Sequence, residues 1–136
     1  MIGRTDGYLC GKVRYQAEGT PIWVAHCHCK SCRKASGAPI VTWAGYQRVT
    51  VTWVAKPFAY SPHVLRCFCP DCDTPVSYES TRWPDELHIP DATLDDPEGG
   101  TPTAHVYWSE HLAWLEVGDD TLKKLSTIGT APKKEH

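Results

Sequence analysis

The sequence lacks a dominant charge: fourteen Lys and Arg against sixteen Asp and Glu leave a net −2 over 136 residues. No overall field is available to draw in nucleic acid or an anionic membrane surface, and neither is expected as a partner. Long apolar runs are absent too. The opening MIGRTDGYLCGKVRY holds no stretch suited to a signal peptide, and no later stretch reaches the length of a membrane span. A cytoplasmic protein is the expectation. Helical periodicity is equally scarce, confined to Cys29 to Ser36 and Asp119 to Leu125, neither long enough to organise a core.

Strand signals take its place. Alternating, β-branched or aromatic stretches run through Lys12 to Gln16, Pro21 to Cys27, Pro39 to Ala44, Val49 to Val54, Val64 to Phe68, Pro75 to Tyr78, Glu86 to Ile89 and His105 to Trp108. Gly19-Thr20-Pro21, Ser61-Pro62, Trp83-Pro84 and the run from Asp96 to Gly100 punctuate them at spacings that suit short antiparallel strands. The fold class is mainly β with little helix. The length suits one domain, over residues 1–130, followed by a frayed tail at 131–136. Six tryptophans (Trp23, Trp43, Trp53, Trp83, Trp108 and Trp114) read as core and loop packing, with a ligand-stacking role open for any one of them.

Seven cysteines need a reason. In a reducing compartment disulfides are disfavoured, and an odd number cannot pair completely, so metal ligation is the natural alternative. In a secreted chain the same residues would read as a disulfide framework. The run HCHCKSC, His26 to Cys32, carries Cys27, Cys29 and Cys32. The run CFCPDC repeats the spacing with Cys67, Cys69 and Cys72, and Cys10 is left over.

In an extended Cys27-His28-Cys29 the two sulfurs share a face, and the turn through Cys32 brings back a third. Three thiolates can grip one tetrahedral zinc, the metal whose softness best suits the set; an iron–sulfur cluster is the alternative, though its typical four-ligand spacings are absent. On a count of sulfurs, Cys10 closes a site with the second cluster while Cys27, Cys29 and Cys32 keep an open position, as catalytic zinc sites do. His26 and His28 alternate with these cysteines and should face away from the metal, His28 being the better dissenting candidate. His63, His88, His105 and His111 show no ligand spacing.

These residues resemble the glutathione-dependent formaldehyde-activating enzyme family, which shares an Mss4-like zinc fold with centromere protein V. The resemblance runs through Cys10 to Tyr15, Cys27 to Pro39, Arg66 to Pro75 and Asp91 to Pro97, with His105 to Trp108 and Trp114 also fitting. It implies an Mss4-like zinc-binding fold of short antiparallel sheets. It also implies a catalytic zinc on Cys27, Cys29 and Cys32, and a second, structural ion on Cys10, Cys69 and Cys72. The family's first structural cysteine falls at Tyr8, and its glycine after the C-x-x-C falls at Asp73. Cys67 is a candidate for the absent ligand; an ordinary buried thiol there, or an emptied site, remain the alternatives.

The implied activity is a carbon–sulfur lyase step, the formation or cleavage of S-hydroxymethylglutathione, with glutathione or a related small thiol as co-substrate. Three thiolates offset zinc's charge and make it a poor activator of water, which suits a bound substrate thiolate attacking an aldehyde. Lys30, Arg33 and Lys34 offer positive charge to the anionic adduct, or form a solvated basic surface. Ser36 and Gly37 offer backbone approach, and no separate general base is evident. The alternative from a different class is a non-catalytic, zinc-stabilised binding or scaffold module with the same fold. The oligomeric state is left open.

Overall fold

Alternation of apolar and polar residues builds two sheets here. The structure, a computed structural model, describes residues 4–7, 9–11, 14–17, 19–48, 51–53, 58–59, 62–95, 100–118 and 122–127. The smaller sheet joins β1 (Arg4–Gly7), β2 (Arg14–Ala17) and β5 (Val51–Trp53), all antiparallel. The larger has eight strands. These are β3 (Trp23–Cys27), β4 (Val41–Gln47), β6 (Phe58–Ala59), β7 (Val64–Phe68), β8 (Pro75–Ser80), β9 (Glu86–Pro90), β10 (Ala104–Val106) and β11 (Lys123–Lys124). Their spatial order is β11-β10-β3-β4-β9-β8-β7-β6. The protein is therefore mainly β, with one α-helix, α1 (Lys30–Ser36), among the described residues.

The period of two sorts the side chains of the large sheet into two faces. Val24, Ala44, Tyr46, Leu87 and Ile89 point to one side and form the main core, to which the small sheet adds Ala17 and the partly buried Val51. Cys27, Trp43 and Tyr78 point to the other, where Trp23, Trp83 and Tyr107 join them. A register shift between Cys67 and Phe68 leaves Val76 as an extra residue between Ser77 and Pro75, so Val76 turns to the main core while Tyr78 turns away from it.

Two expectations change. The sheet is not wholly antiparallel: β10 runs parallel to both β3 and β11. The long connection after β9 makes this geometrically accessible, since parallel strands cannot be joined by a tight turn. Residues 119–125 were expected to be helical, yet Lys123–Lys124 is a strand, with Leu125 N–H donating to the His105 carbonyl at 2.8 Å. Unpaired backbone on β10 outweighs a weak helical pattern there. Residues 119–121, the frayed tail, most of Asp96 to Gly100 and Tyr8 lie outside the described residues.

Candidate metal centre and cavity

β3 ends at Cys27, His28 and Cys29 continue extended, and α1 starts at once. Cys29 is the N-cap of the helix, φ −67° and ψ 151°, and its sulfur accepts the Cys32 N–H at 3.3 Å. The first turn then carries Cys32 back over the strand end. At the far end Gly37, φ 76°, closes the helix in the left-handed conformation, its N–H donating to the Arg33 carbonyl at 2.7 Å. All three cysteines are buried, and their sulfurs lie within 4.8 Å of one another.

A tetrahedral zinc with sulfurs at about 2.3 Å sets neighbouring sulfurs about 3.8 Å apart. Cys27 Sγ and Cys32 Sγ are 3.6 Å apart, so the residues fit that ion. Their electrostatics agree. Hydrogen bonds from Cys27 and Cys29 hold the Cys32 thiol far below its usual range, with Arg66 adding to the effect. The same crowding, through Cys29 and Cys32, and burial push Cys27 far up. Three thiolates this close repel unless a cation sits among them. Arg66 supplies a partial counter-charge, its Nη2 lying 3.8 Å from Cys32 Sγ while its guanidinium lies 4.9 Å from the centre of the Tyr78 ring.

A cavity of about 460 Å³ opens beside these sulfurs. Its walls are largely aromatic: Trp23, Trp43, Trp83, Tyr78 and Tyr107, with Glu86 and His88 as the acidic and imidazole groups. Tyr107 is buried in the left-handed conformation, φ 57° and ψ 39°, and burial pushes its phenol up to about 12. Burial raises Tyr78 as well.

A second triad joins the two sheets. Cys69 and Cys72 flank the turn after β7, whose knuckle is closed by Cys69 N–H to the Thr74 carbonyl at 2.9 Å and Asp73 N–H to the Cys69 carbonyl at 2.8 Å. Cys10, between β1 and β2, brings its sulfur to 3.4 Å from Cys69 Sγ. These three also lie within 4.8 Å of one another. The Thr74 hydroxyl and backbone N–H hold the Cys72 thiol down to about 6. Asp73, the residue where the family pattern has glycine, does adopt a positive φ, 65°.

Cys67 belongs to neither triad. Its grouping with Cys10, Cys69 and Cys72 is corrected in favour of the ordinary buried thiol: Cys67 stands opposite Ser77 on β8 and packs into the main core, while Cys10 and Cys72 meet Cys69 at the knuckle. Its thiol is buried in the main core, raised by burial against a hydrogen bond with Ser77. For the basic residues the structure matches the solvated-surface alternative rather than contact with an adduct. Lys30 and Lys34 are exposed on α1, and Arg33 reaches back to the carbonyls of His28 (3.4 Å) and Glu110 (3.2 Å). None of the three lines the cavity, nor do Ser36 and Gly37, which finish the helix. His28 faces away from the sulfurs, as alternation required, with its Nε2 2.8 Å from His105 Nδ1. Burial, then His105 and His111, lower it to about 4.

The sequence profile of the glutathione-dependent formaldehyde-activating enzyme family matches residues 4–110. The chain belongs to this family. The match includes both cysteine triads and the strands that form most of the cavity. Among solved structures, the chain is similar to the crystal structure of a Rhodobacter sphaeroides protein from a structural genomics programme. The two are 19% identical with a TM-score of 0.54 over 67% of this chain and 87% of that one. That likeness supports the fold. No curated protein matches the chain.

Arg66, Glu86, His88 and the aromatic walls were not singled out by sequence reasoning. One signal was present: in Glu86-Leu87-His88, strand alternation puts the carboxylate and the imidazole on one face.

Proposed function

We propose that the protein is a zinc-dependent enzyme of carbon–sulfur lyase type, forming or cleaving the adduct of an aldehyde with glutathione or a related small thiol. S-hydroxymethylglutathione is the adduct the family name points to. The observation that carries this reading is three buried sulfurs, Cys27, Cys29 and Cys32, at the wall of a cavity large enough for a small substrate. Three protein ligands leave a tetrahedral ion one exchangeable position.

Zinc, when bound, supplies the charge that keeps a substrate thiol in its nucleophilic thiolate form. The chain's own residues do the rest. Arg66 offsets negative charge beside Cys32. The tryptophan walls exclude water and hold the reacting groups together, which favours attack of sulfur on a carbonyl carbon over hydration of the aldehyde. Cys10, Cys69 and Cys72 serve a structural ion that ties the β1–β2 connection to the knuckle. None of the seven cysteines is in a disulfide, a state that a reducing cytoplasm maintains.

Metal analysis combined with a turnover screen of thiol–aldehyde adducts tests the reading. Wild type should hold zinc and turn over at least one adduct, and Cys32→Ala should lose the cavity-side ion together with at least 100-fold in kcat/KM, about 2.7 kcal/mol. A zinc-loaded wild type that turns over none of the panel would instead favour the non-catalytic binding module.

A further inference from the structure

The cavity contains a polar pair that the metal does not account for. Glu86 and His88 sit two residues apart on β9, on the face that lines the cavity. Glu86 Oε1 lies 2.9 Å from His88 Nε2 and also accepts the Trp23 indole N–H at 3.1 Å. The indole can only donate, so this oxygen serves as an acceptor. The hydrogen bond from His88, and then the one from Trp23, hold the Glu86 carboxyl below its usual value, overcoming its burial. An ionised Glu86 accepts from His88 Nε2, which must therefore carry hydrogen. That assigns the lone pair of a neutral His88 to Nδ1.

The ring is held on three sides. Tyr78 stacks on it with centroids 5.5 Å apart and planes 18° apart, Trp23 meets it edge-on at 4.6 Å, and Trp83 lies at 5.7 Å. His88 is 7% exposed. Among the described residues its Nδ1 has no hydrogen-bond partner, although the ring borders the cavity that the three sulfurs share. An imidazole oriented by a carboxylate on one nitrogen and open on the other is suited to moving a proton.

We propose that His88, oriented by Glu86, is the proton acceptor and donor for the hydroxyl of a thiohemiacetal in this cavity. The proposal rests on the carbon–sulfur lyase reading above. In the cleavage direction, His88 Nδ1 takes the hydroxyl proton. The O–H electron pair becomes the second bond of the aldehyde carbonyl, and the carbon–sulfur bond breaks with its pair leaving on sulfur as thiolate. In the forming direction the thiolate attacks the carbonyl carbon, and the alkoxide so formed takes its proton from the His88 imidazolium. Glu86 stabilises that imidazolium and makes no contact with substrate in this scheme; it is a positioning residue. The titratable and charged groups around His88 are Glu86 on its own strand, Tyr78 stacked from β8, Arg66 over Tyr78, and Arg82 over Trp83.

The test uses zinc-loaded full-length protein, with S-hydroxymethylglutathione and the most active adduct of the panel as substrates. His88→Ala should retain wild-type zinc content and lose at least 100-fold in kcat. Added imidazole should restore at least 10-fold by occupying the space the ring vacates. Glu86→Gln should lose kcat more than KM and move the pH profile, because a Gln amide can donate to Nε2 and place the proton on Nδ1. Independently of turnover, ¹⁵N spectra of wild type recorded at a pH where the imidazole is neutral should show His88 as the Nε2–H tautomer, and Glu86→Gln should change that signal. Wild-type turnover matched by His88→Ala overturns the role of His88 alone, as does a His88 that carries its hydrogen on Nδ1. Zinc-loaded wild type inactive on every adduct overturns the lyase reading and the proton role with it.

Discussion

Asp73 shows what one residue can store. It occupies the left-handed region at φ 65°, where glycine is unstrained and a side chain normally costs about 1 kcal/mol. Asp is among the residues that tolerate the conformation best, so the knuckle persists with Cys69 and Cys72 in place. Asp73→Gly should therefore stabilise the protein only slightly, by up to about 0.5 kcal/mol, the relieved strain being largely cancelled by a more flexible unfolded chain. Urea denaturation at constant metal content measures it, and a lower midpoint would refute the strain argument. Glu86 makes a different prediction. Its folded-state pKa is lowered, so its contribution is fully present above the unfolded value of about 4.3 and fades as pH falls through the folded value. Wild-type stability should fall on acidification below about pH 4.3, and Glu86→Gln should be missing part of that acid limb. Parallel denaturation curves from pH 7 to pH 3 compare the two.

Between neighbouring strands, close approach decides the cavity wall. Trp23 on β3 pairs with Gly45 on β4, and Gly45 pairs with His88 on β9. A Cβ on Gly45 would fall inside the Trp23 indole, 2.5 Å from Nε1. Glycine is what lets the indole lie across β4, touch His88 edge-on and donate to Glu86. Gly45→Ala should cost about 1–3 kcal/mol through overpacking and displace Trp23 from Glu86. Thermal denaturation and Trp fluorescence report the two effects, and an unchanged spectrum with unchanged Tm would show that the indole does not need this space. The HCHCKSC segment shows the opposite case, in which the element follows from its residues. The period of two sets Cys27 and His28 to opposite sides, and Cys29 as N-cap starts the helix that returns Cys32.

For the whole molecule, the two triads lie in different settings. The cavity-side triad lies at the edge of the large sheet's aromatic face, while Cys10, Cys69 and Cys72 join a connection in the small sheet to a turn in the large one. Metal bound only in the folded state contributes its binding free energy to folding. A strong chelator should lower Tm by roughly 10 °C or more. Cys10→Ser, which removes a single cysteine of the structural triad, should reproduce part of that drop while leaving the cavity-side ion in place. Calorimetry with metal analysis follows both, and a Tm indifferent to chelation would remove the structural role of the ions.

Most of the strands and the helix at Lys30–Ser36 were legible because burial on one face of a sheet writes a period of two into the chain, and a cap precedes a short helix. The run from Cys27 to Cys32 likewise announced a set of ligands able to hold a metal, since its spacing brings three sulfurs together by local geometry alone, whereas the second run supplies only Cys69 and Cys72 and needs Cys10 from the small sheet. Pairing across distant segments is not local. The parallel β10, the exclusion of Cys67 and the failure of Lys30, Arg33 and Lys34 to reach the cavity all depend on a register or a turn that sequence spacing does not encode. The same holds for Arg66, Glu86 and His88, which meet the aromatic walls because β3, β4, β9, β8 and β7 lie side by side. The sequence by itself determined the sulfur loops and the alternation of faces, both governed by residues a few positions apart. The tertiary structure alone decided which face became a cavity and which imidazole entered it, because long-range strand order settles what stands opposite what.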